Sequence, residues 1–181
     1  GVSPMQKLQM TTQEGSNVAV CAIKGNFDDA QTGVKTIFTD KEIGKKLAEH
    51  GMAFSSANSI NWGRLVPQIV YYFSAYCDMI RNGRIKAGDK INFVVPTGNF
   101  GNILAAYLAK QMGAAYYARE MGLPVDRLIC ASNKNRVLTD FFDTGVYDIN
   151  RSFYTTSSPS MDILISSNLE RLLFIASGYS D

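Results

Sequence analysis

An α/β architecture, a parallel sheet with helices on both faces, is the fold class that three features of the 181-residue sequence predict. Short apolar runs alternate with segments of helical periodicity, the signature of strands joined by crossover helices. The strongest run, INFVV at residues 91–95, is nearly all apolar, as strands buried on both faces are. The composition, 46% hydrophobic and 19% charged, is that of a chain able to build one sizeable core.

Taken in order, residues 17–23 (NVAVCAI) read as a buried strand rich in β-branched residues. Gly25 and Asn26 form a turn, and Asn26 or Asp28 caps a helix running to Phe38. Asp40 is the next N-cap, for a helix through His50 that Gly51 closes. Residues 52–55 read as a brief strand. A long helical pattern fills 59–80, reset by Pro67. Strand 91–95 enters a turn at 96–102, and a helix follows. Gly122, Leu123 and Pro124 end that helix, and 127–131 (RLICA) is another buried strand. Residues 135–143 are helical up to Gly145; 146–160 are Ser/Thr-rich loop; Ser160 caps the last helical region from Met161. A seam between two domains is expected at 51–58, where helix gives way to Ser/Asn-rich loop.

One internal repeat stands out: AAYLAKQMG (105–113) is followed by AAYYAREMG (114–122). Nine residues leave about half a turn of rotation, so the second copy aims its apolar stripe away from the first. Gly113 between them costs about 1 kcal/mol relative to Ala. The two copies are therefore not expected to pack as one regular core helix; one is displaced, frayed or exchanged with a neighbour.

Several function classes are disfavoured. Eighteen basic against sixteen acidic residues give +2, too balanced for a nucleic-acid or anionic-membrane face. The longest uncharged apolar stretch, 65–77, has 13 residues, against about 18 or more for a membrane span. The start, Gly1-Val2-Ser3-Pro4, has neither a signal-peptide pattern nor an initiator Met, which suggests an excised piece. The only histidine, His50, sits in the last turn of a helix, where a cation suits the dipole. Asp140, Asp143 and Asp148 are spaced too loosely for a metal, and no metal is expected. Cys21, Cys77 and Cys130 stand alone in apolar stretches and read as reduced core thiols of a cytoplasmic protein. Trp62 and the stripe Tyr71, Tyr72, Phe73 and Tyr76 read as core or domain interface.

The segment that points to chemistry is VVPTGNFGN, residues 94–102. A buried strand passes through Thr97, Gly98, Asn99, Phe100, Gly101 and Asn102 into a helix. Glycines at 98 and 101 permit positive φ and close approach of an anion, and amides at a helix start are unpaired and favour negative charge. The pattern is neither a Walker A loop nor GxGxxG. It fits a phosphate cradle, or else a plain βα turn with Asn102 as N-cap. Asn58, Ser59, Asn61 and Arg64 offer amides, a hydroxyl and a guanidinium suited to a carboxylate or phosphate. The alternative is a helix start capped by Ser59, with Arg64 paired to a surface acid.

PTGNFGNILA, SSANSINWGRLVPQIVYYF (55–73), SPMQKLQM (3–10) and ASNKNRVLTDFF (131–142) together resemble the threonine synthases, in matching order from Ser3 to about Phe174. The resemblance implies a fold-type II, tryptophan synthase beta-like fold, present in part. It implies pyridoxal 5′-phosphate as cofactor, held at its phosphate by Gly98, Asn99, Phe100, Gly101 and Asn102. The implied reaction converts O-phospho-L-homoserine and water to L-threonine and phosphate, with the cofactor ring taking up the electrons of successive carbanions. It also implies that residues 1–55 are part of a smaller αβ domain and 56–181 the major part of a larger, cofactor-phosphate-binding one. The family's Schiff-base lysine lies in a Phe-Lys-Asp motif, which this sequence does not contain. No catalytic residue is assigned here, and the chain alone is expected to be inactive. A non-catalytic module that binds phosphate or pyridoxal 5′-phosphate, a homologue that has lost catalysis, and another fold-type II pyridoxal-phosphate lyase are the alternatives. Faces bared by truncation would favour self-association.

Overall fold

The computed structural model describes residues 3–116 and 123–180. They fall into two compact units, Gly1–Phe54 and Ser55–Asp181.

The first unit carries three helices, α1 (Pro4–Thr11), α2 (Phe27–Thr39) and α3 (Lys41–Glu49). Capping residues define α2 and α3. The Asn26 side chain accepts from the Asp29 N–H at 3.0 Å, and the Asp29 carboxylate accepts from the Asn26 N–H at 2.8 Å, a reciprocal capping box. Asp40 ends α2 and starts α3, its carboxylate accepting from the N–H groups of Glu42 and Ile43. Gly51 stops α3 at φ +67°. The His50 Nδ1–H donates to the Lys46 carbonyl at 2.9 Å, so the ring serves the helix end.

Two expected strands are corrected here. Among the described residues, 17–23 and 52–55 pair with no strand; 17–23 is exposed throughout. An apolar run signals a demand for burial but does not supply the neighbouring strand that would satisfy its backbone. Cys21 lies in this segment and is exposed, as is Cys77; Cys130 is half-buried. The expectation of three core thiols fails because an apolar sequence neighbourhood does not fix which side of the chain faces inward.

The second unit is built on a two-stranded parallel sheet, β1 (Ile91–Pro96) beside β2 (Val125–Ala131). Before it come α4 (Trp62–Leu65), a 3₁₀ turn at Val66–Gln68 and α5 (Ile69–Arg81), so the predicted helical stretch is reset at Pro67. The crossover from β1 to β2 contains α6 (Gly101–Tyr116); α7 (Val137–Thr144) and α8 (Leu169–Ala176) complete the unit. Val95 is buried, with Ile91 and Phe93 partly buried beside it, and the Tyr72 ring of α5 meets Phe93 edge-on at 4.9 Å. Ala105, Ala106 and Ala109 of α6 are fully buried, small side chains that let this helix lie close to its neighbours. On the other face Val94 is 63% and Ile129 43% exposed.

Tyr72 and Tyr76 are core residues and Phe73 packs partly buried against the core, whereas Tyr71 and Trp62 are exposed, which corrects the core reading for those two. Residues 71 and 72 differ by about 100° around α5, so only one of them reaches the core. Ser160 is not the start of the last helix either. It lies in a single 3₁₀ turn, Pro159–Met161, and α8 begins only at Leu169. The intervening stretch is drawn into the loop network described below. Helix α6 runs through the first copy of the nine-residue repeat and the first three residues of the second. The expected displacement of the second copy falls on 117–122, outside the described residues. No described helix is long and apolar enough to cross a membrane. Among the described residues, no group of three or more His, Cys, Asp or Glu side chains is placed to hold a metal ion.

Candidate functional site

The strand-to-helix bend after β1 is built from its backbone. Thr97 is buried; its N–H donates to the Ala131 carbonyl at 2.9 Å, continuing the sheet, and its hydroxyl donates to the Val95 carbonyl at 2.6 Å. From Gly98 the ladder stops. The first α6 hydrogen bond runs from Leu104 N–H to the Phe100 carbonyl. The backbone N–H groups of residues 98–103 donate to no acceptor among the described residues. Six successive free amides at the start of a 16-residue helix form an electropositive concavity suited to an anion.

The conformational role assigned to the glycines is corrected. Phe100, not Gly98 or Gly101, carries the positive φ, at +64°. Its ring is buried and lies 6.1 Å from that of Phe142, an anchor that holds a non-glycine residue in this costly region. The glycines are required by protein neighbours. A Cβ on Gly98 would lie 2.6 Å from the Ser160 carbonyl oxygen, and one on Gly101 would overlap the Ser59 side chain.

Each predicted site residue has a definite place. Ser59 reaches the bend: its Oγ accepts from Asn168 Nδ2 at 3.1 Å and abuts Gly101. Asn58 is spent on a local turn, accepting from Ile60 N–H at 3.1 Å. Asn61, and not Ser59, caps α4, accepting from Gly63 N–H at 3.0 Å and donating to the Ser56 carbonyl. Arg64 is exposed and donates through Nε to the Ala57 carbonyl at 3.2 Å, with no acid paired to it among the described residues. Together Ala57, Ser59, Arg64, Gln68 and Tyr71 line an open cleft of about 240 Å³. Asn102 is inside the first turn of α6 and is not its cap. Its Nδ2 donates to Gln68 at 3.1 Å, and its Oδ1 accepts from the Tyr72 hydroxyl at 2.6 Å. Burial pushes the Tyr72 phenol up to about 12. Asn99 Oδ1 is buried and has no donor.

Sequence reasoning missed the residues that fasten the bend from behind. Ser166 Oγ donates to the Gly98 carbonyl at 2.9 Å. Asn168, fully buried, donates to the Asn99 carbonyl from its backbone N–H at 3.1 Å and from Nδ2 at 3.0 Å. Arg171 donates to Asn168 Oδ1 at 2.7 Å and to the carbonyls of Ser59 and Ile60. The one available signal was the polar run Ser166-Ser167-Asn168 directly before an apolar helix.

The half-buried Cys130 is not an activated nucleophile. Burial raises the Cys130 thiol above its ordinary range, only partly offset by a hydrogen bond with Thr97, so it stays protonated at neutral pH. The arrangement is suited to binding and orienting an anion, and among the described residues no ion pair involves residues 97–103.

No family model matches the chain. It is 49% identical over 177 residues to threonine synthase-like 1 of Macaca fascicularis, covering 97% of this chain and 23% of that protein. To threonine synthase of Eremothecium gossypii it is 45% identical over 175 residues, covering 96% and 30% respectively. The crystal structure of PLP-bound threonine synthase from Brucella melitensis superposes with a TM-score of 0.74 at 45% identity, covering 99% of this chain and 34% of that one. The chain thus spans about a quarter to a third of the length of the relatives it matches, and its fold is that of the corresponding segment of a threonine synthase.

Proposed function

From the homology of nearly the whole chain to one segment of the threonine synthases, we propose that it forms the part of such an enzyme that grips the phosphate of pyridoxal 5′-phosphate. The whole protein then converts O-phospho-L-homoserine and water to L-threonine and phosphate. The observation that carries this reading is the row of six free amides at 98–103. A phosphate dianion accepts from such a row while the helix dipole favours its charge. The orphaned Asn99 Oδ1 fits as well, since a donor on the bound molecule would pair it.

When bound, the cofactor supplies a ring able to take up electron density from the substrate's Cα and Cβ, so that phosphate leaves Cγ and water adds at Cβ. This chain's share is binding and shaping. Gly98, Asn99, Phe100, Gly101 and Asn102 present the cradle, and the Phe100 ring fixes its curvature. Arg64, with its terminal nitrogens unpaired among the described residues, offers a cation in the cleft beside Ser59 for the substrate's phosphate or carboxylate. Asn58 and Asn61 support that wall by fixing its turn. Residues 1–55 belong to the smaller domain and 56–181 to the larger. Three unpaired thiols suit a reducing compartment such as the cytoplasm. The exposed Val94 and Ile129 face favours self-association of the isolated chain.

The isolated chain is a phosphate-binding module without turnover, because it contains no Phe-Lys-Asp. The cradle is tested by residue-resolved amide NMR of the chain titrated with pyridoxal 5′-phosphate and, separately, with pyridoxal. The phosphorylated form shifts the amides of 98–102 and pyridoxal does not. Equal responses to both, or silence at the bend, overturn the reading. For the full-length protein, phosphate release from O-phospho-L-homoserine is the corresponding assay.

A further inference from the structure

We propose that Ser166 and Asn168, on the turn leading into α8, are positioning residues that aim two amides of the cradle; this rests on the phosphate reading above. A trans peptide unit holds its C=O and the following N–H in opposite directions. Fixing a carbonyl therefore fixes the aim of the next amide. The Gly98 carbonyl accepts from Ser166 Oγ at 2.9 Å, which turns the Asn99 N–H the other way. The Asn99 carbonyl accepts twice from Asn168, at 3.1 and 3.0 Å, which does the same for the Phe100 N–H.

Both residues are themselves held. The Ser166 N–H donates to the Tyr147 hydroxyl at 2.7 Å. Asn168 is fixed at its other end, Oδ1 accepting from Arg171 at 2.7 Å, and the same guanidinium donates to the Ser59 and Ile60 carbonyls. Asn168 Nδ2 also donates to Ser59 Oγ at 3.1 Å, against the Cα of Gly101. Two segments distant in sequence, 59–60 and 166–171, thus lock the peptide planes of 98–100 from behind. Without them the positive φ of Phe100 is left to its ring packing alone, and the free amides lose a common focus. Preorganised donors are worth more than mobile ones because no reorientation is needed on binding.

The test is amide NMR of the 181-residue chain titrated with inorganic phosphate. In the unaltered chain the amides of Asn99 and Phe100 are expected to shift together. Ser166→Ala should weaken phosphate binding by about fivefold, the worth of one hydrogen bond, and shrink the Asn99 response first. Ser166→Thr, which keeps the hydroxyl, should restore both. Asn168→Ala should act on the Phe100 response. If that variant fails to fold, the Ser166 pair decides the question. Unchanged affinity and an unchanged Asn99 response in Ser166→Ala overturn the positioning role while leaving the cradle standing. A uniform loss across all shifted amides, unrescued by threonine, also overturns it, since that marks a merely structural contact. Silence at 98–102 in the unaltered chain removes both readings.

Discussion

Gly101 lies with its Cα directly against the Ser59 side chain, so a Cβ at position 101 has nowhere to go. The contact ties the first turn of α6 to the loop that precedes α4, and it explains a glycine whose φ is not positive. Gly101→Ala is expected to destabilise the chain by about 1–3 kcal/mol through overpacking. Combining it with Ser59→Gly should return part of that loss, because the obstacle goes with the side chain. Gly98→Ala meets the Ser160 backbone oxygen instead, and no side-chain change relieves it. Urea unfolding of the three variants checks the order, and an unaltered midpoint for Gly101→Ala would contradict the packing.

Tyr72 links α5 to the same turn, its hydroxyl within 2.6 Å of Asn102 Oδ1 and 2.9 Å of the Asn102 carbonyl. Its phenol, raised by burial from the ordinary 10.0 to about 12, favours the neutral form in the folded chain. The sign follows from linkage: the stabilisation is complete below about pH 10 and is lost as pH rises toward 12. Tyr72→Phe should cost about 1–2 kcal/mol at neutral pH and should flatten the alkaline loss of stability. Denaturation midpoints at pH 8, 10 and 11, with and without the substitution, provide the comparison.

Asp162 organises the polar stretch before α8. Its carboxylate is buried, which pushes its pKa up, but bonds from the Thr156 N–H and hydroxyl and from the Asn133 and Asn135 amides outweigh burial and hold it below the usual range. Stability from this group is therefore present above the ordinary carboxylate range and is lost as pH falls through its lowered value. Asp162→Ala removes an acceptor shared by three donor side chains, leaves the Thr156 hydroxyl without one, and should cost about 3 kcal/mol at pH 7. The deficit should narrow in acid. A constant difference from pH 7 to pH 3 would exclude the carboxylate as its source.

These cases mark what the residues reveal on inspection and what they do not. The caps at Asn26 and Asp40, the reset at Pro67 and the strands around Val95 and Cys130 follow from local rules acting over a few residues. The bend at 97–102 was legible because a strand, two glycines and a helix start stand side by side. Asn168 was not, because its meaning lies 69 residues away, at the Asn99 carbonyl. The run 17–23 misled for the complementary reason: its composition fits a strand, but no partner strand among the described residues pairs with it. Glycines 98 and 101 signal backbone freedom and close approach of an anion in the sequence, whereas their neighbours Ser160 and Ser59, distant in the chain, are what forbid a side chain.

The last prediction concerns the lysines of the second unit. Lys110 donates to the Asp126 carbonyl at 2.9 Å, and the Lys134 ammonium sits 4.2 Å from the centre of the Tyr154 ring. Neither contact involves the bend at 98–103, and no lysine in the sequence lies in a Phe-Lys-Asp motif. An amine that links covalently to pyridoxal 5′-phosphate must be held beside the cradle as the phosphate is, since only that proximity raises its effective concentration above that of any surface lysine. Treating the isolated chain with the vitamer and borohydride should therefore give weak labelling scattered over several lysines, read out by peptide mass spectrometry. Phosphate-bend binding by NMR should persist in the same sample before reduction. A single stoichiometric pyridoxyl adduct would mean that one of these lysines does reach the cradle, and the chain would then carry its own covalent anchor.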